Sequence, residues 1–173
     1  MKISIITVVY NNEKTINEAI ESVLNQNYDD IEYIIIDGGS NDGTLDKISS
    51  YKDKLSYFIS EKDNGLYDAM NKGIKAAKGE VVGILNSDDL YQDLDVISDV
   101  MKHFINDKNI DILYGDLVYV KNNDITTIVR NWKSKSYYRN FFENANVPPH
   151  PSLFLRISYA LISCVFNTLP RRE

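Results

Sequence analysis

Four consecutive polar residues, Asn86-Ser87-Asp88-Asp89, directly follow the unbroken apolar run Val81-Val82-Gly83-Ile84-Leu85. A short apolar run of this kind is typical of a buried strand in a parallel sheet, which delivers the residues that follow it to the edge of the sheet. Carboxylate and amide oxygens are hard ligands that suit Mg²⁺ or Mn²⁺ better than zinc. The run therefore predicts a strand that presents a divalent-cation site at its carboxyl end.

Two further polar residues occupy the same position after other predicted strands. Asn11 follows the apolar run Ile3–Tyr10, and Asp37 follows the β-branched run Ile31–Ile36. Ligands of parallel sheets bind in the crevice beyond the carboxyl ends of the strands, so we expect these residues to meet Asp88 and Asp89 there. Carboxylates brought together would raise one another's pKa unless a cation or hydrogen-bond donors compensate them.

The elements that position these residues alternate along the chain. Apolar residues recur at helical spacing from Ile16 to Leu24, and Thr15 with Glu18 resembles a capping box at the start of that helix. The full order is β-α-β-α-β-α-β-α-β-β, in which Ile112–Val120 and Ile125–Arg130 form a final hairpin that turns at Asn122-Asn123. This order predicts an α/β fold with a mostly parallel twisted sheet and helices on both faces.

Composition excludes several classes of protein. The chain has 173 residues, 43% of them hydrophobic, and a net charge of -6, which argues against nucleic acid as a partner. Its one cysteine, Cys164, excludes an internal disulfide framework or a thiolate metal cluster and suits a reducing cytoplasm. The first residues indicate a strand rather than a signal peptide, and no segment reaches membrane-spanning length without a charge.

The glycine-rich stretch from Asp37 to Thr44 invites comparison with dinucleotide-binding loops. Its glycines, Gly38, Gly39 and Gly43, follow the second strand and do not have the spacing of a dinucleotide fingerprint, so that interpretation fits poorly. A plain turn in which Asp42 or Thr44 caps the next helix explains the last glycine equally well. It explains Asp37 less well.

Four ordered motifs together resemble a known family. They are Ile6-Thr7-Val8-Val9-Tyr10-Asn11, Asp37-Gly38-Gly39-Ser40-Asn41-Asp42-Gly43-Thr44, Asp63-Asn64-Gly65-Leu66-Tyr67-Asp68-Ala69-Met70-Asn71-Lys72-Gly73 and Leu85-Asn86-Ser87-Asp88-Asp89. In this order and spacing the chain resembles the family 2 glycosyltransferases with a GT-A fold. The likeness is greatest to the bacterial branch that builds capsule, O-antigen and exopolysaccharide.

The resemblance assigns roles at the nucleotide end of the site. It implies that the first strand lines the base pocket, that the acid ending the second strand reads the base, and that the third motif borders nucleotide and sugar. A carboxylate that accepts a hydrogen bond from a ring N–H suits uracil. The residues concerned are Thr7, Val9, Asn11, Asp37, Asp63, Asp68 and Asn71. Asp68 has an alternative interpretation as a first-turn residue favoured by the helix dipole.

The resemblance also assigns the metal ligands and the catalytic base. Asn86 stands where the family usually has an aspartate, so Asp88 becomes the principal Mg²⁺ or Mn²⁺ ligand, with Asp89 beside it. His150, in a His-Pro-Ser segment that recurs in this branch, is a further candidate ligand, although a lone histidine is more often structural. Asp116 is the candidate catalytic base by its position. The alternative is that Asp116 is only a turn or surface aspartate.

These expectations combine into a single domain, residues 1–173, with a nucleotide-sugar part at 1–120 and a partial acceptor-side part at 121–173. We expect an inverting transferase that uses a UDP-sugar and a glycan or lipid-linked acceptor at the cytoplasmic face of the membrane. After residue 152 the sequence departs from the family pattern, and the apolar stretch Ser152–Leu169 is either core or a membrane or partner contact. The alternatives are a binding remnant or partner subunit without turnover and, less favoured, a nucleotidyltransferase. Oligomeric state stays open.

Overall fold

The computed structural model describes residues 1–121, 124–141, 143–144 and 146–162. Eight strands and five α-helices lie in this part of the chain. The strands are β1 (Ile3–Val9), β2 (Ile31–Asp37), β3 (Tyr57–Ser60), β4 (Val81–Ile84), β5 (Ile112–Tyr114), β6 (Leu117–Lys121), β7 (Asp124–Trp132) and β8 (Leu153–Arg156). The helices are α1 (Ile16–Leu24), α2 (Thr44–Ser49), α3 (Leu66–Ala76), α4 (Val96–Asn106) and α5 (Ile157–Ile162). Short 3₁₀ helices span Lys52–Lys54 and His150–Ser152.

Six strands form one sheet in the order β3-β2-β1-β4-β8-β5. Strands β1 to β4 are parallel to one another, and β8 runs antiparallel between β4 and β5. All seven residues of β1 are buried, as expected for the central strand of a sheet covered on both faces. The predicted α/β class with a mostly parallel sheet is confirmed.

Alternate residues of β1 supply the two hydrophobic clusters on either side of the sheet. Ile3, Ile5 and Val9 pack with the apolar stripes of α1 and α4, whereas Ile6 and Val8 pack with α3 and α5. Helix α3 lies very close to β1, because a Cβ atom on Gly73 would stand 2.4 Å from Ile6 Cγ2. The sheet and its helices form a rigid support whose carboxyl edge carries the loops that follow β1, β2 and β4.

The last third of the chain differs from its prediction. The single strand expected at Ile112–Val120 is interrupted at Gly115-Asp116, so β5 joins the main sheet and β6 pairs with β7 in a separate two-stranded sheet. The predicted hairpin partner is correct, and its turn at Asn122-Asn123 lies outside the described residues. Strand β8 was not predicted, since a four-residue apolar run cannot be told from helix by periodicity alone.

The described part of the apolar stretch Ser152–Leu169 contributes to the core, although Tyr159 within it is exposed. Phe154 and Leu155 of β8 and Ala160 of α5 are buried in the two hydrophobic clusters. Its last residues, 163–169, and Cys164 among them lie outside the described residues. Within the described part of the chain, none of the helices has the length and hydropathy that crossing a membrane would require.

Candidate functional site

Ser87 joins the loop after β4 to the loop after β1. Asn12 Nδ2 donates to Ser87 Oγ at 2.8 Å, and Thr15 Oγ1 donates to the Ser87 carbonyl oxygen at 2.8 Å. The predicted capping box is therefore wrong, because Thr15 makes no side-chain cap and its hydroxyl serves this tertiary bond instead. Asn12 N–H also donates to Thr44 Oγ1, which adds the loop after β2 to the same assembly.

Asn11 fixes the other side of this assembly. Its φ of 48° is in the left-handed region, which asparagine tolerates better than most side chains. Its N–H donates to Ser40 Oγ at 2.8 Å, and its Oδ1 accepts from Asn41 N–H at 2.9 Å. Asn11 is exposed, so the predicted binding residue lies at the surface of the edge while its own hydrogen bonds hold its orientation.

Asp37 is wholly buried at the end of β2. Its Oδ2 accepts hydrogen bonds from Gly39 N–H at 3.0 Å, Ser40 N–H at 2.9 Å and Ser60 Oγ at 2.6 Å, and its Oδ1 accepts from the Ser40 hydroxyl. Four donors thus compensate this carboxylate without a cation. The arrangement secures the glycine-rich loop to the end of the strand.

Thr7 and Val9 lie beneath the edge of the sheet. Thr7 is fully buried with its Oγ1 3.0 Å from the Tyr33 hydroxyl, and Val9 belongs to the cluster under α1. The Val9 carbonyl oxygen accepts from Gly38 N–H at 2.9 Å. In the structure both residues support the loops, and their predicted place in a base pocket stays a prediction.

Asp63 and Asp68 lie where β3 gives way to α3. Asp63 Oδ1 accepts from Gly65 N–H at 2.8 Å, and its Oδ2 lies 2.5 Å from where a Cβ on Gly38 would be, so it packs directly on the glycine-rich loop. Asp68 Oδ2 accepts from Asn64 N–H at 3.0 Å and pairs with Lys72 at 3.6 Å. These contacts, the Asn64 N–H first, lower the pKa of Asp68.

The contacts of Asp68 match its alternative interpretation as a first-turn acid, because its carboxylate accepts a hydrogen bond from a backbone N–H just before α3. Asn71, one turn further along α3, is half-buried. The predicted ligand contacts of both residues remain predictions.

Asn86 organises the acidic loop after β4. Its Nδ2 donates to Asp89 Oδ2 at 2.7 Å and lies 3.0 Å from His150 Nε2. Its Oδ1 is buried and has no hydrogen-bond partner among the described residues. Burial raises the pKa of Asp89, and the neighbouring Asp88 adds to that rise, whereas the Asn86 amide and His150 oppose it. Asp88 is exposed.

These residues fit a hard divalent cation. An unsatisfied buried amide oxygen is costly unless a donor or a cation meets it, and Asn86 Oδ1 is such an atom in the loop that also carries Asp88 and Asp89. Within the described ranges, no three histidine, cysteine or acidic side chains converge on one point. Asn86 Oδ1 and the acids that follow it, Asp88 and Asp89, therefore suit an ion that takes the rest of its oxygens from water or phosphate, as Mg²⁺ does, whereas His150 Nε2 already faces the Asn86 amide nitrogen.

Asp116 is connected to the His150 segment through the backbone. Gly115 N–H donates to the Ser152 carbonyl at 3.1 Å, and Ser152 Oγ donates back to the Gly115 carbonyl at 2.9 Å. Asp116 is exposed, and its Oδ1 accepts from Ser134 N–H at 2.8 Å. A hollow of about 300 Å³ beside it is lined by residues 112–116 and 134–136.

Sequence reasoning missed the residues that hold the loops together. These are Asn12, Thr15, Ser40, Ser60 and Ser87. Ser40 and Ser87 lie inside the quoted motifs next to the acids, which is the only signal that could have found them. Nothing local to Ser60 connects it with Asp37, which is 23 positions away.

Solved structures share this architecture at low sequence identity. S. aureus TarS 1–349, in complex with UDP-GlcNAc, aligns with 96% of this chain and 48% of its own, with a TM-score of 0.69 and 22% identity. The mannosyltransferase PcManGT from Pyrobaculum calidifontis, in complex with GDP-Man and Mn²⁺, aligns with 72% of this chain and 37% of its own, with a TM-score of 0.61 and 22% identity. The protein therefore has the GT-A fold.

The family follows from the sequence comparison. Glycosyl transferase family 2 matches residues 4–166, and the chain belongs to that family. An uncharacterised glycosyltransferase from Rickettsia typhi is 46% identical over 89 residues, which are 51% of this chain and 28% of that protein. The putative glycosyltransferase EpsH from Bacillus subtilis is 39% identical over 89 residues, 50% of this chain and 26% of that protein. The chain thus spans about a quarter of the length of these two relatives.

Proposed function

We propose that this chain binds a UDP-sugar together with Mg²⁺ or Mn²⁺ and transfers the sugar, with inversion, to a glycan or lipid-linked acceptor in cell-surface glycan synthesis at the cytoplasmic face of the membrane. The observation that carries the proposal is the buried Oδ1 of Asn86, which has no hydrogen-bond partner among the described residues and lies in the acidic loop, at the edge where the loops after β1, β2 and β4 are bonded together. The complexes of TarS with UDP-GlcNAc and of PcManGT with GDP-Man and Mn²⁺ support this class of ligand.

The nucleotide end of the site is formed by three residues in this proposal. Asn11 and Asp63 flank the glycine-rich loop, and both keep their orientation through bonds to backbone N–H groups. Asp37, with no exposed surface, holds that loop in place from beneath. Thr7 and Val9 form the floor under the loop. Asp68 and Asn71 lie on the sugar side, at the start of α3.

The diphosphate end is formed by the acidic loop. Asp88 and the Asn86 oxygen hold the cation, with Asp89 and His150 on the other side of the Asn86 amide. When bound, the cation stabilises the negative charge that grows on the departing nucleoside diphosphate. Ser87 keeps this loop in position through its bonds to Asn12 and Thr15.

Asp116 is the base in this proposal. Direct displacement requires the acceptor hydroxyl to lose its proton, and a carboxylate within hydrogen-bonding reach can take it. Asp116 Oδ1 accepts a hydrogen bond from Ser134 N–H, and the exposed Asp116 side chain lines the hollow. Asp124, the next acid along the chain, has both carboxylate oxygens bonded to Thr126 and Thr127 and is less suited to the role.

Calorimetry with UDP tests the binding. Wild-type protein should bind UDP more tightly with Mn²⁺ than with EDTA, and Asp88→Ala should weaken binding at least about tenfold, as expected for removing a charged ligand. Asp99→Ala is the matched control, because Asp99 is an exposed acid on α4 that pairs only with Lys102. Absence of metal-dependent UDP binding in the wild type would overturn the proposal.

A turnover assay separates the enzyme from the binding remnant. Hydrolysis of a UDP-sugar, or its transfer to an added acceptor, should occur in the wild type and fall at least about a hundredfold in Asp116→Asn. The exposed position of Asp116 favours the remnant as the second candidate. Metal-dependent binding of the UDP-sugar without release of UDP would support the remnant and contradict the enzyme.

A further inference from the structure

Residues 117–121 and 124–140 form a surface unlike the rest of the molecule. We call this segment, which contains β6, β7 and the chain that follows them, the basic ribbon. None of its described residues is buried. It forms its own two-stranded sheet outside the main one. A two-stranded ribbon gains little stability alone, so its exposed apolar groups need another explanation than core formation.

Large apolar side chains are concentrated on the basic ribbon. Seven of the fifteen exposed large hydrophobic residues of the described chain lie in it, so the patch is far denser here than elsewhere. They are Val118, Tyr119, Ile125, Ile128, Val129, Tyr137 and Tyr138. Nearly half of the exposed large hydrophobic residues of the described chain therefore lie in this one short segment.

The two faces of the ribbon differ in chemistry. The register pairs Val120 with Ile128, and Val118 lies two residues before Val120, so these aliphatic side chains share one face. On the other face Arg130 stacks over Tyr119 and Trp132, with its guanidinium carbon 5.4 and 5.5 Å from the ring centroids. One face is thus mainly aliphatic, with Asn131 opposite Val118, and the other combines aromatic rings with a cation beside Leu117.

Positive charge is segregated into the same segment. It contains five of the 19 lysines and arginines and one of the 25 acids, a net charge of +4 within a chain of net charge -6. The basic residues are Lys121, Arg130, Lys133, Lys135 and Arg139, all exposed. The rest of the chain consequently has a net charge of -10, which would keep it away from anionic surfaces.

We propose that the basic ribbon docks on the surface of an anionic phospholipid bilayer. Aliphatic side chains, tyrosine and tryptophan enter the interfacial layer favourably, while long basic side chains reach the lipid phosphates around them. Nucleic acid would match the positive charge but would leave the aliphatic face of Val118 and Ile128 unused. A second copy of this chain would place another positively charged ribbon against the first, and the two would repel each other. The bilayer matches both the charge and the apolar face.

Docking would bring the candidate site close to the lipid surface. Ser134, in the basic ribbon, donates its N–H to Asp116 and its hydroxyl to the Gly115 carbonyl. These two bonds fix this part of the ribbon beside the hollow that Asp116 lines. This consequence for the acceptor rests on the proposed function. Binding to vesicles does not rest on it, so the two can fail separately.

Vesicle flotation tests the inference with the full chain. We expect wild-type protein to float with vesicles of 70% phosphatidylcholine and 30% phosphatidylglycerol at low salt, and to be released from them by salt, because screening weakens attraction to the surface. Vesicles of pure phosphatidylcholine should retain much less protein. Equal retention by both vesicles, or retention by neither, would overturn the proposal.

Matched variants locate the contact. Ile128→Ser and Ile105→Ser remove aliphatic side chains of similar exposure, 53% and 50%, from the ribbon and from α4. We expect Ile128→Ser to weaken vesicle binding at least about fivefold and Ile105→Ser to leave it unchanged. Only a side chain that enters the lipid bilayer contributes to partitioning. Equal effects of the two substitutions would contradict the proposal.

A charge-reversal pair provides a second comparison. Lys133→Glu with Arg139→Glu should weaken binding at least about tenfold, because each basic group near an anionic surface contributes about fivefold. Lys52→Glu with Lys108→Glu makes the same net change on the body of the protein and should have a smaller effect. Circular dichroism and the thermal midpoint confirm that each variant folds. A dimer in the absence of lipid that the ribbon variants dissociate, without vesicle binding, would assign the ribbon to a protein interface and overturn the proposal.

Discussion

Asn12 Nδ2 and Ser87 Oγ lie 2.8 Å apart although the two residues are 75 positions apart in the chain. This hydrogen bond connects the loop at the end of β1 to the loop that carries Asp88 and Asp89. Ser87 is buried, and Thr15 bonds to its carbonyl oxygen, so the acidic loop is held at two points. The position of the acids at the sheet edge therefore depends on hydrogen bonds from polar side chains of another part of the chain.

Replacing Ser87 by alanine tests this dependence. Ser87→Ala removes the acceptor of the Asn12 amide and should lower the free energy of unfolding by about 1 kcal/mol, as for other single hydrogen bonds. Metal-dependent UDP affinity should fall as well, because the acidic loop loses one of its attachments. Urea denaturation and calorimetry measure the two effects. Ser98→Ala, which removes an exposed hydroxyl bonded to the Asp95 carbonyl on α4, is the control. Reduced stability with unchanged UDP affinity would show that this bond does not position the acids.

Asp37 offers a test between contact with the base and support of the loop. Asp37→Ala leaves four donors without their acceptor in a buried position and should cost about 3 kcal/mol, which confounds any binding measurement. Asp37→Asn keeps the size and one acceptor oxygen and should cost less. If Asp37 only holds the loop, Asp37→Asn lowers the affinities for UDP and GDP by similar factors.

If Asp37 instead recognises uracil directly, Asp37→Asn should lower the affinity for UDP more than the affinity for GDP, so the ratio of the two affinities falls. Ser60→Ala is the control, because it removes one donor to Asp37 Oδ2 without changing the carboxylate. The ratio of the two affinities should stay at its wild-type value in Ser60→Ala. Competition calorimetry with both nucleotides measures it.

The main sheet could be predicted from sequence because its signals are local. The β-branched runs before Asn11 and Asp37 and the 3.6-residue spacing of α1 each report on their own element. The site could be predicted only in part. The acids stand at strand ends, which sequence shows, but Thr15 had a locally convincing role as a cap, and the bond to Ser87, 72 positions away, replaced it. Long-range bonds of this kind leave no periodic trace, and neither does the four-residue β8.

Asp68 gives a pH-dependent prediction. The Asn64 N–H and Lys72 lower its pKa in the folded state, so the ionised form contributes stability that is complete above the unfolded value of about 4. This contribution is lost as the pH falls through the folded-state pKa. Asp68→Asn should therefore lower the urea midpoint at about pH 7 and have a smaller effect at about pH 2.5, below the unfolded-state pKa, because the contribution of the ionised form shrinks as the pH falls. Asp53→Asn, at an exposed position in a 3₁₀ helix, should show no such difference. An equal loss at both pH values would mean that charge is not how Asp68 stabilises α3.

Asn86 provides the most direct test of the metal site. Asn86→Asp replaces the amide that donates to Asp89 by a second carboxylate at 2.7 Å, so without metal we expect the thermal midpoint to fall by about 3–8 °C. A cation relieves that repulsion, so Mn²⁺ should raise the midpoint of Asn86→Asp by more than that of the wild type. Asn27→Asp is a closely matched control, because Asn27 Nδ2 donates to Asp95 Oδ1 at 2.8 Å at an exposed position away from the site. Thermal unfolding with Mn²⁺ and with EDTA measures all three proteins. If Mn²⁺ raises the midpoints of the two variants equally, the effect is ordinary charge screening and the loop after β4 holds no divalent cation.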